Sequence, residues 1–476
     1  MQYHFWQHSE HLSSATRFRV LAGFLLLLVV GVVKAQVPVE RGVSRELAAH
    51  RFEVVSELRY ALAFSIPASQ NEPIPASVGI DFQLAESTSP LQLDFRESRE
   101  RIRRITVNGR TSQFDFRNEH VIIAAQELRT GANRIDIELD AGTSSLNRNE
   151  DYLFSLLVPD RARTVFPLFD QPNLKARFSL QLSLPEGWIA MANGAITKID
   201  TTADGTTYHF ATSERIPSYL FSFVAGRFNS VTQERNGRQM TLLHREPDAE
   251  RFQRNVDDIF ELHTAALEWL EAYTGINYPF QKLDFALIPA FPYGGMEHVG
   301  AIQYRADALL LEAHPTQTEL LDRASLIAHE VAHAWFGNLV TMRWFDDVWT
   351  KEVFANFMAA RIVNPSFPGI DHKLRFLVDH YPGAYSVDRT EGANAIYQQL
   401  PNLNEAGSLY GAIIYDKAPI MMRQLESLIG EKTLQAGLRQ YLQQYAFGNA
   451  TWPELIAILD DLTELDLAAW SEVWVT

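Results

Sequence analysis

The sequence predicts two domains of different class, an antiparallel β domain followed by a mainly helical domain, so the fold class is multidomain α+β. From about Leu58 to Leu243, apolar and polar residues alternate with a period of two, which is typical of half-buried strands. From about Asp248, apolar residues recur with the helical period. A third observation, one apolar run near the N-terminus, sets a leader apart from both domains. The predicted divisions are residues 1–35, 36–245 and 246–476.

The leader has the pattern of a secretory signal peptide. Residues 20–33 carry no charge, Arg17 and Arg19 precede them, and Lys34 follows. A permanent membrane span needs about 20 apolar residues, so this run is short for an anchor and suits the apolar region of a signal peptide. We expect cleavage near Gln36 and an exported protein, periplasmic or extracellular, without a permanent membrane span. An uncleaved leader that tethers the protein to a membrane is the alternative.

Composition limits the kinds of site that the protein can hold. Its 476 residues include no cysteine, which excludes disulfide scaffolds, iron–sulfur sites and thiol nucleophiles. Nitrogen and oxygen atoms must therefore hold any bound metal. The net charge of −16, from 42 Lys+Arg against 58 Asp+Glu, argues against a nucleic-acid partner. The sequence does not indicate an oligomeric state.

Within the β domain, two segments show the alternation most clearly. Residues 134–139 (RIDIEL) and 178–184 (FSLQLSL) place apolar side chains at every second position. Asn108-Gly109 is a typical hairpin turn between two such runs. These segments predict an antiparallel β domain that ends near residues 243–248.

The helical domain is predicted to open with an amphipathic helix and to contain one short β-like interruption. The apolar stripe of that helix consists of Phe252, Val256, Ile259, Phe260, Ala266, Leu267 and Leu270. The interruption covers residues 283–304 and contains the run FPYGGMEH at residues 291–298. Most of the chain after it is helical in pattern.

A candidate metal site begins with the pentapeptide His-Glu-Val-Ala-His. On a helix, residues four apart share a face, so His329 and His333 can offer two imidazoles to one ion, with Glu330 beside them. Thr316 and Glu319 have the spacing of a capping box, which predicts where the helix begins. The pentapeptide alone suggests a metal site but does not establish one, because it supplies only two ligands.

A second predicted helix, residues 344–360, supplies that ligand. Glu352 follows His333 with 18 residues between them, enough for the first helix to end and for the second to return. Catalytic zinc takes three protein ligands and keeps one position open. We therefore predict one Zn²⁺ per chain, with Glu330 as the general base for attack by water on a carbonyl carbon. Asn356 is more simply interpreted as a packed or solvated side chain than as a partner of a ligand.

The sequence resembles the M1 family of zinc aminopeptidases, of the gluzincin group. Besides the zinc motif, Gly294-Gly-Met-Glu-His298 is similar to the family's Gly-x-Met-Glu-Asn motif. The runs WFGNLVTM at residues 335–342 and FPLFDQP at residues 166–172 are also similar to family segments. The resemblance covers about residues 55–476. It implies a saddle-like β-sandwich followed by a thermolysin-like zinc metallopeptidase domain.

The resemblance also assigns roles to residues. Glu297 matches the glutamate that binds the free α-ammonium group of a peptide. Gly294, Gly295 and Met296 match the backbone along which the substrate lies as an added strand. Tyr415 matches the tyrosine whose hydroxyl stabilises the oxyanion.

The sequence departs from the family pattern at several positions. His298 stands where Asn is usual, and Lys351 replaces the Asn that commonly precedes the third ligand. Val158 lies where many members have a Glu or Gln that shares the ammonium group, so selectivity for a free amino terminus could be weaker. Nearby Asp160 is an alternative acceptor, although a solvated loop position is the simpler interpretation. Tyr410 is a weaker candidate for the pocket of the oxyanion tyrosine.

The sequence therefore predicts an exported zinc aminopeptidase whose partners are peptides with a free N-terminus. One alternative is a zinc endopeptidase or a non-peptide hydrolase of the same family. Another is a truncated, noncatalytic scaffold that binds peptides. The chain ends at Thr476, about where a catalytic domain would end, so we expect either a minimal member or a fragment that lacks C-terminal domains.

Overall fold

A computed structural model describes residues 37–203 and 205–476. The predicted signal peptide lies outside these described residues. Both predicted domains lie within one compact unit, residues 37–476. Among the helices that the structure describes, none combines the length and the apolar character that crossing a bilayer requires.

The first part of the chain is built almost entirely of strands, as the period of two predicts. One helix precedes them, α1 (Arg45–Val54), whose N-terminus is capped by the side chain of Ser44. The strands are β1 (Val55–Ser65), β2 (Pro75–Leu84), β3 (Leu91–Asp94), β4 (Ile102–Val107), β5 (Arg110–Thr111), β6 (Asp115–Arg117), β7 (His120–Ile123), β8 (Gly131–Asp140), β9 (Leu146–Arg148), β10 (Tyr152–Ser155), β11 (Arg177–Leu184), β12 (Ile189–Ala192), β13 (Ile196–Thr202), β14 (Gly205–Phe210) and β15 (Phe223–Gly226).

These strands form three sheets. The largest has the order β13-β14-β11-β1-β2-β8-β4-β5, the second has the order β12-β15-β10-β9, and the third has the order β3-β7-β6. The pairs are antiparallel except for β1 with β11, which run parallel. The Asn108-Gly109 turn joins β4 to β5, and Asn108 has a φ of 51° and Gly109 a φ of 78°.

Aromatic side chains fill the space between the two larger sheets. Phe64 of β1 and Phe223 of β15 have ring centroids 5.4 Å apart, and Phe166 lies 6.2 Å from Phe64. The two sheets therefore pack face to face as a β-sandwich, which confirms the predicted class of the first domain.

The second part of the chain is mainly helical. Its helices are α2 (Ala249–Thr274), α3 (Ala306–Leu309), α4 (Gln317–Ala332), α5 (Val348–Val363), α6 (His372–Asp388), α7 (Ala418–Ile429), α8 (Glu431–Gln444), α9 (Trp452–Asp460) and α10 (Leu467–Trp474). Its strands are β16 (Asn229–Arg235), β17 (Arg238–His244), β18 (Asp284–Ile288), β19 (Gly295–Met296), β20 (Ala301–Arg305), β21 (Thr341–Met342) and β22 (Asn449–Ala450).

One sheet joins segments on both sides of the predicted domain boundary. Its order is β16-β17-β18-β20-β19, with β17 parallel to β18. The sequence assigned β16 and β17 to the first domain, but they hydrogen-bond into the sheet that carries the β-like segment 283–304. The strands up to Gly226 therefore belong to the sheets of the first part, and the strands from Asn229 onward belong to this sheet. The predicted domain boundary, between residues 245 and 246, lies downstream of that change and remains a prediction.

Helix α2 packs across this sheet and supports α4. Phe260 of α2 and Phe285 of β18 have ring centroids 5.2 Å apart. Arg323 of α4 donates a hydrogen bond to Asn255 of α2 at 2.8 Å. These contacts fix α4, which carries the histidine motif, over one face of the sheet.

Candidate active site

Helix α4 begins and carries its histidines as the sequence predicts. Thr316 and Glu319 form the capping box at its N-terminus, each side chain bonding to the other's backbone. His329 and Glu330 lie in its last turn, and His333 is its C-terminal capping residue. The four-residue spacing puts both imidazoles on one side, with Nε2 atoms 3.0 Å apart.

Helix α5 brings a carboxylate to the same point. Oε2 of Glu352 lies 3.5 Å from Nε2 of His329 and 3.7 Å from Nε2 of His333. Zinc–ligand bonds of about 2.0–2.1 Å in a tetrahedral arrangement place ligand atoms roughly 3.3 Å apart. The separations among the two Nε2 atoms and Oε2 of Glu352 are 3.0, 3.5 and 3.7 Å, close to that value, so these residues fit a zinc ion.

The hydrogen bonds of the two imidazoles also fit a metal site. Nδ1 of His333 lies 2.9 Å from the backbone oxygen of Phe336, and Nδ1 of His329 lies 2.9 Å from Oδ1 of Asn356. Each Nδ1 is therefore the donor, and in the neutral rings both Nε2 lone pairs face each other. Such an arrangement is repulsive unless a cation lies between the two nitrogens.

Glu330 lies beside this centre with one oxygen unused. Its side chain is buried, and Oε2 has no hydrogen-bond partner among the residues that the structure describes. Burial raises the pKa of Glu330 to about 8, although the nearby His329 opposes the shift. A carboxylate in this environment is poised to exchange a proton near neutral pH.

Glu297 forms a buried ion pair at one end of the site. Nζ of Lys351 lies 2.5 Å from Oε1 of Glu297 and 2.9 Å from Oε1 of Glu352. Burial alone would raise the pKa of Glu297 and of Glu352, but the Lys351 ammonium group lowers both. Glu297, Glu330 and His333 could also hold a metal by distance, yet Glu297 already has a cation.

Strand β19 forms one edge of the sheet β16-β17-β18-β20-β19, beside the site. Gly295 and Met296 pair antiparallel with β20, and β19 has no neighbour on its other side in the sheet order that the structure describes. A Cβ atom added to Gly295 would lie 2.4 Å from Oε1 of Glu330, so only glycine allows this approach. An exposed strand edge is suited to pairing with an extended peptide.

Two tyrosines face the site from the segment before α7. Tyr415 lies in the π-helical turn Ile413–Lys417, where the sequence alone would indicate an ordinary amphipathic helix. Tyr415 is partly exposed, but desolvation within the cleft raises the pKa of its hydroxyl well above the usual range, and Glu352 adds to the shift. The ring centroid of Tyr410 lies 6.5 Å from that of Tyr415, and in the described part of the chain its buried hydroxyl lacks a partner.

All predicted site residues line one cleft of about 670 Å³. They are Gly294, Gly295, Met296, Glu297, His329, Glu330, His333, Glu352 and Tyr415. Val158, Tyr410 and Lys351 line it too. The geometry thus brings the predicted residues together, while their roles remain predictions.

Two interpretations from the sequence need correction. Asn356 is neither merely packed nor solvated, because its side chain contacts Nδ1 of His329. Asp160 is not a solvated loop residue, since it is buried and paired with the Arg163 guanidinium. No local pattern predicts the bond between Lys351 and Glu297, because these residues are 54 positions apart.

Comparison with known proteins identifies two matching domains. The Peptidase M1 N-terminal domain matches residues 56–220, and the Peptidase family M1 domain matches residues 259–474. Together these matches cover the β-sandwich and most of the helical part of the chain.

Individual relatives carry aminopeptidase names. The chain is 28% identical over 450 residues to aminopeptidase N of Streptomyces lividans, covering 91% of this chain and 51% of that protein. It is 34% identical over 304 residues to puromycin-sensitive aminopeptidase of Caenorhabditis elegans, covering 63% of this chain and 32% of the relative. It is 33% identical over 324 residues to aminopeptidase N of Lactobacillus helveticus, covering 66% of this chain and 37% of that protein. The chain thus spans about half or less of the length of these relatives.

Proposed function

The chain belongs to peptidase family M1, and from this premise we propose that it is a zinc-dependent aminopeptidase that removes N-terminal residues from peptides. The observation that carries the proposal is the convergence of His329, His333 and Glu352 beside a buried carboxylate with a free oxygen, Oε2 of Glu330. A noncatalytic scaffold has no need of that carboxylate. The relatives' names support the same reaction class.

Zinc, when bound, supplies a Lewis acid that polarises a carbonyl group and makes water more acidic. His329, His333 and Glu352 would hold it. Asn356 and the backbone oxygen of Phe336 keep both imidazoles in the tautomer that leaves Nε2 free.

Glu330 is the proposed general base. Its free Oε2 accepts a proton from the attacking water and later returns one to the leaving amine. Gly295 leaves room for this carboxylate, because an added Cβ atom would lie 2.4 Å from Oε1. Tyr415 is the proposed oxyanion donor, because its hydroxyl stays protonated at the pH of catalysis and its side chain lines the cleft.

Substrate binding is proposed to use the edge of β19 and the carboxylate of Glu297. An extended peptide would add a strand along Gly294, Gly295 and Met296, which fixes its register. A fixed carboxylate beyond that strand favours a charged amino terminus over a neutral one. The proposed partners are therefore peptides with a free N-terminus.

The experiment uses a panel of free-amine aminoacyl anilides and their N-acetyl forms with the exported chain, residues 36–476. We expect hydrolysis that a chelator abolishes and zinc restores, about one zinc per chain, and a preference for the free amine. The preferred first side chain would emerge from the same panel.

Two outcomes would overturn parts of this proposal. Hydrolysis of neither form in zinc-loaded protein would remove the catalytic function and favour a scaffold that binds peptides. Equal turnover of both forms would remove the aminopeptidase assignment while retaining a zinc hydrolase. Export needs a separate experiment with the full chain, residues 1–476, which should be recovered from the periplasm or medium with its N-terminus near Gln36.

A further inference from the structure

A buried lysine lies at the end of the cleft that Glu297 forms. Lys351 occupies the first turn of α5, directly before the proposed zinc ligand Glu352. Its side chain is 4% exposed, and its Nζ contacts one oxygen of each glutamate, at 2.5 and 2.9 Å. The ring of Tyr219 lies 5.6 Å from the same ammonium group. The ammonium group of Lys351 thus contacts two carboxylates and one aromatic ring, and the residue lines the cleft.

This ion pair changes what Glu297 can recognise. A carboxylate selects for a cationic ligand when its charge is not compensated by the protein. Here Oε1 of Glu297 already has an ammonium partner, so an arriving α-ammonium group meets a neutralised carboxylate and a like charge close to it. Glu297 therefore attracts a charged amino terminus less strongly than an unpaired carboxylate would.

The remaining walls near this end offer neutral contacts. Val158 and Met296 are apolar and buried, and both line the cleft. Tyr410 adds a buried hydroxyl that has no hydrogen-bond partner among residues 37–203 and 205–476. A phenol hydroxyl and a lysine ammonium group can each donate a hydrogen bond to the carbonyl oxygen of an acyl group. These contacts suit an acylated amino terminus as well as a charged one.

We propose that Lys351 is a specificity-determining residue that neutralises Glu297, so that the cleft binds peptides with an acylated amino terminus in addition to those with a free one. This inference rests on the proposed function, since it concerns the substrate class of the same cleft. Free amines remain preferred, but only modestly.

The first test needs no variant. Leucine hydroxamate and its N-acetyl form are compared as inhibitors of the zinc-loaded protein, and their binding is also measured by calorimetry. We expect the free amine to bind more tightly by less than about 100-fold, because Glu297 is already paired. A preference well above that value would overturn the inference and leave the aminopeptidase proposal intact.

The second test removes the charge of the lysine. In Lys351→Gln, KM for free-amine anilides should fall about tenfold with kcat little changed, while KM for the N-acetyl forms stays within about threefold. A merely structural role would move both substrates together, and that result would contradict the inference. Lys432→Gln is the matched control, because Lys432 is exposed on α8.

A third variant covers the case in which Lys351→Gln does not fold. Val158→Glu adds a carboxylate to the cleft wall beyond the two that Lys351 already contacts, and it should raise the preference for the free amine by about tenfold. An unchanged preference would count against the inference. If no variant and no wild-type sample hydrolyses any anilide while the hydroxamates still bind, the proposed function fails and the specificity argument stands on the binding ratio.

Discussion

Two buried charged clusters in this molecule differ in how completely the oxygens of their carboxylates are bonded. The Asp94 cluster lies in the β domain and consists of Arg51, Asp94 and His120, all essentially inaccessible to solvent. Oδ1 of Asp94 lies 2.6 Å from Arg51 and 3.0 Å from His120. Oδ2 accepts from Arg51 and from the backbone N–H of Asp170, each at 2.8 Å. Both oxygens of the carboxylate are thus fully used.

The cleft cluster consists of His329, Glu330, His333, Lys351 and Glu352, and its bonding is incomplete. Two imidazole nitrogens face each other, and one oxygen of Glu330 has no partner among the described residues. These unused atoms lie on residues that line an open cleft, whereas the side chains of the Asp94 cluster are buried.

Buried charge by itself therefore does not indicate a functional site. Burial alone would raise the pKa of Asp94, but Arg51 and His120 together more than offset that effect and hold the pKa well below its usual range. For Glu330 burial prevails and raises the pKa to about 8. Charges that are fully paired stabilise a fold, and polar atoms left unpaired beside a cleft are available for a ligand.

The largest effect is expected where the cleft cluster loses a ligand. His329→Ala should weaken zinc binding and lower hydrolysis by at least about 10³-fold, because an ion held by two residues lacks its tetrahedral set. The free energy of unfolding of the metal-free protein should change by less than about 1 kcal/mol, since the repulsive nitrogen pair is lost. Zinc analysis, anilide hydrolysis and urea unfolding measure these quantities. His314→Ala, at an exposed loop position, is the control.

The opposite result is expected in the Asp94 cluster. Asp94→Asn leaves the Arg51 guanidinium buried without its carboxylate and should cost about 3–5 kcal/mol of unfolding free energy. Urea unfolding tests this value, and kcat per folded molecule should stay unchanged. Asp115→Asn is the control, because Asp115 pairs with Arg117 at an exposed site where such pairs contribute about 0–1 kcal/mol. A catalytic loss in Asp94→Asn without loss of stability would contradict the structural role of the Asp94 cluster.

A smaller effect is expected from the residue that orients one imidazole. Asn356→Ala should lower zinc affinity by about 10–100-fold, because Nδ1 of His329 loses the acceptor that fixes its tautomer. Competition with a coloured chelator measures the affinity. Asn71→Ala, in an exposed turn, should leave it unchanged. Equal affinity in both variants would show that Asn356 only packs against the histidine.

The smallest effect concerns a buried histidine outside both clusters. His263 of α2 is fully buried, and burial lowers its pKa from 6.5 to about 4. The unfolded state therefore takes up a proton first as the pH falls below 6.5, and stability is lost between pH 6.5 and 4. Between pH 7 and pH 5, the unfolding free energy should fall by about 2 kcal/mol on this account. Urea unfolding at several pH values gives the slope of unfolding free energy against pH for wild type and for His263→Phe. The difference between the two slopes is the contribution of His263, and equal slopes would contradict the prediction.

Local patterns in the sequence predicted much of the fold. Alternation and helical stripes gave the two classes of structure, and the Thr316–Glu319 capping box located the start of α4. Pairing between distant strands has no local signal, so the sequence did not predict that β16 and β17 pair with the sheet that contains β18. The parallel pairing of β1 with β11 and the π-helical turn at Tyr415 likewise depend on tertiary contacts.

The candidate site was predicted to the extent that it depends on spacing along helices. His329, Glu330 and His333 share one helix end, and Glu352 follows on the next long helix. The bonds of Lys351 to Glu297 and of Asn356 to His329 join α5 to other elements, and only the packing of those elements determines them. The departure from the family pattern at Lys351 was visible in the sequence, but its meaning was not.

The most direct test of the central claim is Glu330→Gln, assayed for zinc content and anilide hydrolysis on one sample, with the exposed Glu261→Gln as control. We predict about one zinc per chain in both variants and a loss of kcat of at least about 10³-fold in Glu330→Gln alone, because the base is removed and the ligands remain. Wild-type turnover in Glu330→Gln with zinc bound would contradict the account.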